Sequence, residues 1–298
     1  MRTTVAVEVD GRRLELSNLD KVLYPAVGFT KGQVIDYYRR AAPVLLPHLS
    51  GRPLTLKRYP NGVDEPYFYE KECPRHRPEW VKTAGIWSES SKRQINYCLV
   101  EDLPTLIWAA NLADLELHPS LSRAGEIGCP TMVIFDLDPG APATIVECAR
   151  VALALRELLL PLGLAAFPKT SGSKGIQVCV PLNTPTSYAQ TKPFARALAE
   201  LLQRREPGLV VANMAKSLRP GKVLVDWSQN DAGKTTVCVY SLRARERPTV
   251  SMPVTWEEVE RGDAEVLSFS SSEALERIEQ AADLFAPLNE LEQRLPPV

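Results

Sequence analysis

Asp136-Leu137-Asp138 closes the apolar run Thr131-Met-Val-Ile-Phe135 and is followed at once by Pro139-Gly140. On a strand, residues two apart point to the same face, so both carboxylates project together where the strand stops. Neighbouring like charges repel unless something positive sits between them. A hard divalent cation such as Mg2+ or Mn2+, held by oxygen ligands, is one resolution. Taken alone, the motif fits equally a solvated strand end running into a Pro-Gly turn. Lys222-Val-Leu-Val-Asp226-Trp227 is a second apolar strand ending in an acid. A third carboxylate beside the first two would complete a site for two metal ions, which aligns a hydroxyl with a triphosphate and stabilises the leaving pyrophosphate. By itself, Asp226 reads as a structural strand-end acid.

Other segments suit phosphate. Lys169-Thr-Ser171-Gly-Ser173-Lys174-Gly175 combines small residues, hydroxyls and lysines between two strand-like stretches. Such a loop lets backbone N–H groups approach an anion while Lys supplies charge. It lacks the G-x-x-x-x-G-K-[ST] spacing of a Walker A loop. In Arg243-Ala-Arg245-Glu-Arg247, Arg243 and Arg245 would share one face of a continuing strand, suited to bidentate phosphate contacts or to guarding a sheet edge. Lys21 and Lys31 flank Val22-Leu-Tyr-Pro25 and the turn after it, as a second anion pocket or as solvated lysines. Phe68 and Tyr69 stand in a polar context where rings stack on bases, although core packing of at least one is the commoner fate.

These residues need elements to hold them. Val5–Val9 and Arg13–Leu16 around Asp10-Gly11 predict a β-hairpin. Thr30 caps a helix from Lys31 to about Leu49, with Val34, Tyr37, Tyr38, Ala41 and Leu45 on one side; Pro43 predicts a kink or an early end. Strands are expected at Pro53–Tyr59, Tyr67–Glu70 and Ile95–Val100, then a helix near Leu103–Ala113 and the strand-like Leu115-Glu-Leu-His118. Helices from Thr144 to Leu160, around Ser187–Arg205 and over Ser272–Leu284 alternate with strands at Ile176–Leu182, Lys222–Gln229 and Thr235–Leu242. The turn Asp231-Ala-Gly233 is expected to join the last two as a hairpin. This order matches a regular βαβ succession poorly and predicts an α+β fold with antiparallel or mixed sheets flanked by helices.

The chain has 298 residues, 45% hydrophobic and 24% charged, enough for one large domain or two modest ones. It has no apolar run long enough to span a bilayer and no signal peptide, so no membrane partner and a cytoplasmic location are expected. The net charge of −1 does not advertise nucleic acid, but its distribution is uneven. Residues 1–60 hold ten Lys or Arg against five Asp or Glu, a balance of +5, and residues 255–298 hold three against eleven, a balance of −8. A polyanion could use the basic part, and chance asymmetry gives the same count. The six cysteines include no C-x-x-C pair and read as reduced thiols, three of them in apolar strand-like runs. Cys73-Pro-Arg-His76 has the spacing of half a zinc site without a second half, so no zinc is expected.

Seven ordered motifs together resemble a known family. They are Ser17-Asn-Leu-Asp-Lys-Val-Leu-Tyr-Pro25, Leu54-Thr-Leu-Lys-Arg-Tyr-Pro60, Phe68-Tyr-Glu-Lys71, Leu115-Glu-Leu-His118, Val133-Ile-Phe-Asp-Leu-Asp-Pro139, Thr170-Ser-Gly-Ser-Lys-Gly175 and Val223-Leu-Val-Asp-Trp-Ser-Gln229. They look like the polymerase domain of bacterial ligase D, a primase-polymerase of the archaeo-eukaryotic primase superfamily, and the likeness covers nearly the whole chain. The resemblance implies one primase-polymerase domain over 1–298, with a DNA-end-binding part at about 1–100 and a catalytic core at about 101–298. It implies that Asp136, Asp138 and Asp226 are the catalytic acids and hold two Mn2+ or Mg2+ ions with a bound nucleoside triphosphate. Lys57, His118, Ser171, Ser173, Lys174, Arg219, Arg243 and Arg245 would bind that nucleotide. Lys21 and Lys31 would receive the 5′-phosphate beyond a gap, while Arg58, Phe68 and Tyr69 would contact the DNA.

The implied activity is template-dependent addition of NTP or dNTP at short gaps and broken ends, in non-homologous end joining or gap repair, with a DNA ligase and Ku as partners at the nucleoid. The chain would be a free-standing polymerase or part of a larger ligase, its Met1 favouring the former. One motif departs from the pattern. The family's Gly-x-His is Gly175-Ile-Gln177 here, and Gln neither titrates near neutral pH nor offers an imidazole nitrogen. The competing expectation is a catalytically weakened DNA-end or gap-binding module that serves as scaffold for a ligase.

Overall fold

In the computed structural model, residues 3–296 are described. They form an α+β structure whose chain divides into two compact units, each described by itself. Unit 1 comprises Met1–Gly125, Thr235–Val250 and Ser270–Ala282; unit 2 comprises Glu126–Lys234, Ser251–Phe269 and Asp283–Val298.

Unit 1 begins with the expected hairpin, Thr4–Val9 against Arg12–Ser17. Its two-residue turn has both Asp10 and Gly11 at positive φ, the conformation whose twist matches the flanking strands. The helix Lys31–Leu49 starts at a capping box in which the Thr30 hydroxyl accepts from Gln33 N–H and the Gln33 side chain accepts from Thr30 N–H. It keeps the expected span to Leu49 and runs through Pro43 and Pro47, so of the kink or early end expected at Pro43 the early end does not occur. The missing backbone bonds are offset by burial of Val34, Tyr37, Tyr38, Ala41, Leu45 and Leu49. Tyr37 and Tyr38 hydroxyls also donate to the carbonyls of Tyr240 and Leu115.

The strand Leu54–Arg58 is the centre of the main sheet of unit 1. It pairs antiparallel with Asp114–Pro119 over its length and with Phe68–Glu70 over its second half. Arg93–Cys98 joins at Leu54 and carries Thr83–Ser88 as its hairpin partner. Cys73 and Cys98 are joined in a disulfide, which corrects the expectation of reduced thiols throughout. Cys73 N–H donates to Asn96 O, and that contact brings the two Cα atoms to 5.0 Å, within bridging range. Cys129, Cys148, Cys179 and Cys238 are thiols.

The expected strand Thr235–Leu242 is mostly irregular. Thr235 bridges Ser120, Thr236 and Cys238 donate to Pro119 and Leu117 carbonyls, and Tyr240 then turns at positive φ. Regular pairing resumes with Leu242–Ala244 against Pro248–Val250. The Asp231–Gly233 turn forms, but no hairpin follows it.

Unit 2 is built on a five-stranded sheet in the order Phe167–Thr170, Ile176–Pro181, Met132–Pro139, Val223–Asp226, Val210–Val211. All pairings are antiparallel except the last. The helices Ile145–Leu159 and Tyr188–Arg205 cover one face, burying Val133, Phe135, Leu137, Val178, Val180, Val223 and Val225. A Thr144–Glu147 capping box starts the first of these helices. Alternation along Met132–Pro139 therefore turns Asp136 and Asp138 to the opposite face. Among the described residues no helix is long and apolar enough to cross a membrane.

Candidate active site

In unit 2, four aligned residues cross four strands. Lys169 lies opposite Gln177, Gln177 opposite Asp136, and Asp136 opposite Asp226. Asp136 is half-buried and Asp138, two residues on, is exposed. Burial first, then the charges of Asp138 and Asp226, push the Asp136 carboxyl up to about 7, while the Gln177 hydrogen bond and the Lys169 ammonium pull it back. Gln177, the departure from the expected motif, is buried and bonded to the first acid. Lys169 is buried too and donates to Ser251 Oγ at 2.5 Å.

Asp226 meets Asp136 across the sheet, but its oxygens serve its own turn. Oδ1 accepts from Ser228 N–H and Oγ–H, and Oδ2 from Gln229 Nε2. Among the described residues no three His, Cys, Asp or Glu side chains form a ready metal cage. The donor set is nonetheless that of a hard cation: carboxylate oxygens on one sheet face, with Asp136 raised by burial and by the neighbouring acids. Asp136 and Asp138 offer oxygens that suit a divalent ion; Asp226 fits once its turn gives up an oxygen.

The Ser171–Lys174 loop is held against this strand by a backbone contact. A Cβ on Gly175 would lie 2.0 Å from Leu137 O, between the two acids. The loop is closed on itself, with Ser171 Oγ accepting from Ser173 N–H and Gly175 N–H. The Ser173 and Gly175 amides thus serve the loop itself, while the Ser173 and Lys174 side chains are exposed. Gly140, after the acid strand, lies against Arg219, whose carbonyl would be 2.1 Å from a Cβ there. Arg219 Nη2 donates to Met214 O at 2.7 Å.

Unit 1 gathers the cations. Glu116, which sequence reasoning did not single out, accepts from Lys57 Nζ at 3.1 Å and from His118 Nε2 at 3.0 Å. It also pairs with Arg243 Nε at 3.3 Å and accepts from Ala244 N–H at 3.0 Å. Burial alone would push the Glu116 carboxyl up, but the His118 hydrogen bond and the charges of Arg243 and Lys57 hold it well below the usual carboxylate range. Burial lowers His118 despite Glu116, so a neutral ring donates Nε2–H. Burial likewise lowers Lys57, whose ammonium sits over the rings of Tyr59, Tyr67 and Tyr69 at 4.7–5.6 Å.

A bulge at Lys57/Arg58 aims this strand, and buried Asp114 clamps it by accepting from Lys57 N–H at 2.7 Å. The only available sequence signal for Glu116 was its spacing of two from His118, which puts both on one strand face.

The remaining expected residues divide. Arg245 is exposed and lies beyond the strand Leu242–Ala244, its N–H bonded to Arg243 O, so it does not continue an alternating strand with Arg243. Tyr67, Phe68 and Tyr69 are all exposed, and none enters the core. Phe68 packs under Arg58, which bonds Glu70 and Leu112 O, whereas Tyr69 lies edge-on to His118. Lys21 is exposed and donates to Pro60 O and Asn61 Oδ1. Lys31 is buried and its ammonium is held by Ser17 O and Oγ.

Residues 30–285 match the family described as LigD, primase-polymerase domain. The multifunctional non-homologous end joining protein LigD of Mycolicibacterium smegmatis is 44% identical over 279 residues, covering 93% of this chain and 36% of that protein. The bifunctional non-homologous end joining protein LigD of Bacillus subtilis is 31% identical over 269 residues, covering 90% of the chain and 43% of that protein. The chain thus spans less than half the length of these relatives. Among solved structures, the polymerase domain from Mycobacterium tuberculosis ligase D in complex with DNA superimposes with a TM-score of 0.88 at 41% identity, covering 94% of this chain and 99% of that one.

Proposed function

The chain belongs to the LigD primase-polymerase domain family, and from that premise we propose that it is a template-dependent nucleotidyl transferase acting on short gaps and broken ends of DNA. In the reaction, the primer 3′-hydroxyl attacks the α-phosphate of a nucleoside triphosphate and pyrophosphate leaves.

The observation that carries this reading is the row of acids: Asp136 opposite Asp226, with Asp138 on the same strand face, where burial and mutual charge raise Asp136. Asp136, Asp138 and Asp226 would hold Mn2+ or Mg2+, which when bound supplies positive charge to the attacking and leaving oxygens. Lys174 on the adjoining loop and Arg243, with Lys57 and His118, take the triphosphate charge. Gln177 holds the Asp136 carboxylate by a hydrogen bond, a task that Gln performs without titrating. Lys21 is assigned to the downstream 5′-phosphate, with Lys31 bonded to its backbone as support, and Phe68 and Tyr69 to base stacking. Phosphate contacts position DNA without reading its sequence, so binding is sequence-independent and salt-sensitive. A ligase and Ku are the partners that this role implies, at breaks in the nucleoid.

The second reading, a DNA-end scaffold of weakened turnover, draws on Gln177 and on the hydrogen bonds that occupy Asp226. Primer extension separates the two on a gapped duplex bearing a 5′-phosphate, with Mn2+ and nucleotide supplied. Extension through the gap is expected; tight binding of that duplex with no extension would overturn the polymerase reading.

A further inference from the structure

We propose that Glu116 is the positioning residue of the nucleotide-binding cations, the one side chain that sets Lys57, His118 and Arg243 in a common arrangement before substrate arrives. The inference rests on the assignment of those three residues to the triphosphate and adds a residue assigned no role so far.

Layering is the first reason. The Glu116 side chain is 2% exposed, whereas those of Lys57, His118 and Arg243 are 11%, 12% and 13% exposed. The carboxylate is the innermost group and each partner keeps a rim toward solvent. Glu116 is therefore placed to hold the donors and is itself screened from any ligand they meet.

Convergence is the second. The three partners come from residues 57, 118 and 243, on three different strands. Their meeting point is fixed from both sides of the sheet pairing: Lys57 lies directly opposite Glu116, and Ala244 N–H donates to Glu116 Oε1 from the third strand. Tyr59 OH, at 3.4 Å, closes the remaining side.

Charge is the third. One carboxylate faces two basic side chains, Lys57 and Arg243, so basic groups outnumber the acid at this point and can meet an anionic substrate. A structural ion pair would be expected to balance, because burying unbalanced charge is costly. Fixing long, flexible Lys and Arg side chains in advance removes an ordering cost that binding would otherwise bear.

The test uses the full chain with Mn2+, gapped DNA and a nucleoside triphosphate. Glu116→Gln keeps the shape and removes the charge, and Glu116→Asp keeps the charge and shortens the arm. For Glu116→Gln, KM for the triphosphate should rise about 10- to 100-fold while kcat changes by less than about threefold. Glu116→Asp should recover part of the loss. Binding of the gapped duplex without nucleotide should be unchanged, and in NMR spectra the His118 ring nitrogens should shift in Glu116→Gln.

A folded Glu116→Gln with unchanged KM and an unmoved His118 signal would overturn the proposal. So would a fall in kcat at constant KM. Arg243→Gln separates this failure from that of the parent reading. If Arg243→Gln raises KM and Glu116→Gln does not, the positioning role falls and the nucleotide site stands. If neither raises KM, the cluster is not the nucleotide site and both fall.

Discussion

In unit 1 a single buried carboxylate, Glu116, is surrounded by Lys57, Arg243 and the His118 ring N–H; in unit 2 three carboxylates share one strand pairing, and the cation that acts on Asp136 is Lys169, set behind Gln177. In the first cluster the acid already has its cations around it. In the second, burial and the neighbouring charges of Asp138 and Asp226 raise the Asp136 carboxyl to about 7, so that it takes up a proton or a cation from solution near neutral pH. The protein therefore preorganises donors in one unit and leaves a deficit in the other. The two should respond in opposite ways when an acid is removed.

The largest expected effect is on turnover. Asp136→Ala with Asp138→Ala should lower nucleotide incorporation by at least about a thousandfold, because the charge that would hold metal is gone. The same double variant should keep or raise its thermal midpoint, since like charges have been removed. Glu116→Ala should instead lose stability, by about 3–5 kcal/mol, because it strands two cations in a buried setting. Thermal unfolding of both variants checks the contrast; equal destabilisation would end the distinction between the two clusters.

Next is the contact that holds the Ser171–Lys174 loop on the acid strand. Gly175→Ala drives a methyl to 2.0 Å from Leu137 O, and backbone on both sides cannot yield cheaply. A loss of about 2–4 kcal/mol in urea unfolding is expected. Gly125→Ala, with nothing within 4 Å of the added carbon, serves as the control and should stay within about 0.5 kcal/mol.

Opposite pH dependences follow from the same comparison. The folded Asp136 carboxyl is raised from its ordinary value of 3.8 to about 7, so its contribution to stability is fully present below about pH 4 and is lost as pH rises to about 7. Asp136→Asn should then gain on the parent progressively between those limits, by an amount on the order of 1–3 kcal/mol. Glu116 is depressed, so its contribution is present above the ordinary carboxylate range and is lost as pH falls through and below it. The deficit of Glu116→Gln should be largest at neutral pH and shrink on acidification. Unfolding midpoints of the two variants between pH 3 and pH 8 give the comparison, and parallel curves would refute it.

How far the sequence discloses these clusters depends on sequence separation. Asp136 and Asp138 are visible because two-residue periodicity is local, and Thr30 and Thr144 announce their helices because a capping box spans four residues. The pairing of Asp136 with Asp226 follows once both are seen as strand ends. Glu116 is hidden because its partners lie at residues 57 and 243, and only a folded sheet brings them together. Cys73 and Cys98 are 25 residues apart with no motif between them. The strand expected over Thr235–Leu242 carries the right residue types, but Tyr240 at positive φ breaks it where the chain turns toward Arg243. Local chemistry is legible in the chain; convergence is a property of the fold.

The smallest effect lies within unit 1 and separates two lysines that the sequence treats alike. Lys31 N–H donates to Lys21 O, so the two residues are neighbours, yet their side chains differ. The Lys31 ammonium is buried on Ser17, whereas Lys21 is exposed and reaches Pro60 O and Asn61 Oδ1. A phosphate can draw Lys21 away from those exposed partners at little cost, but drawing out Lys31 would leave the Ser17 carbonyl without its buried donor. Lys21→Ala should therefore weaken binding of a gapped duplex by about three- to tenfold when the 5′-phosphate is present and hardly at all when it is absent. The salt dependence of binding should fall by about one counterion, as for a single phosphate contact. Lys31→Ala should show its main effect in thermal unfolding. If Lys31→Ala instead removes the 5′-phosphate preference while the midpoint holds, then the buried lysine is the phosphate ligand and exposure does not decide between the two.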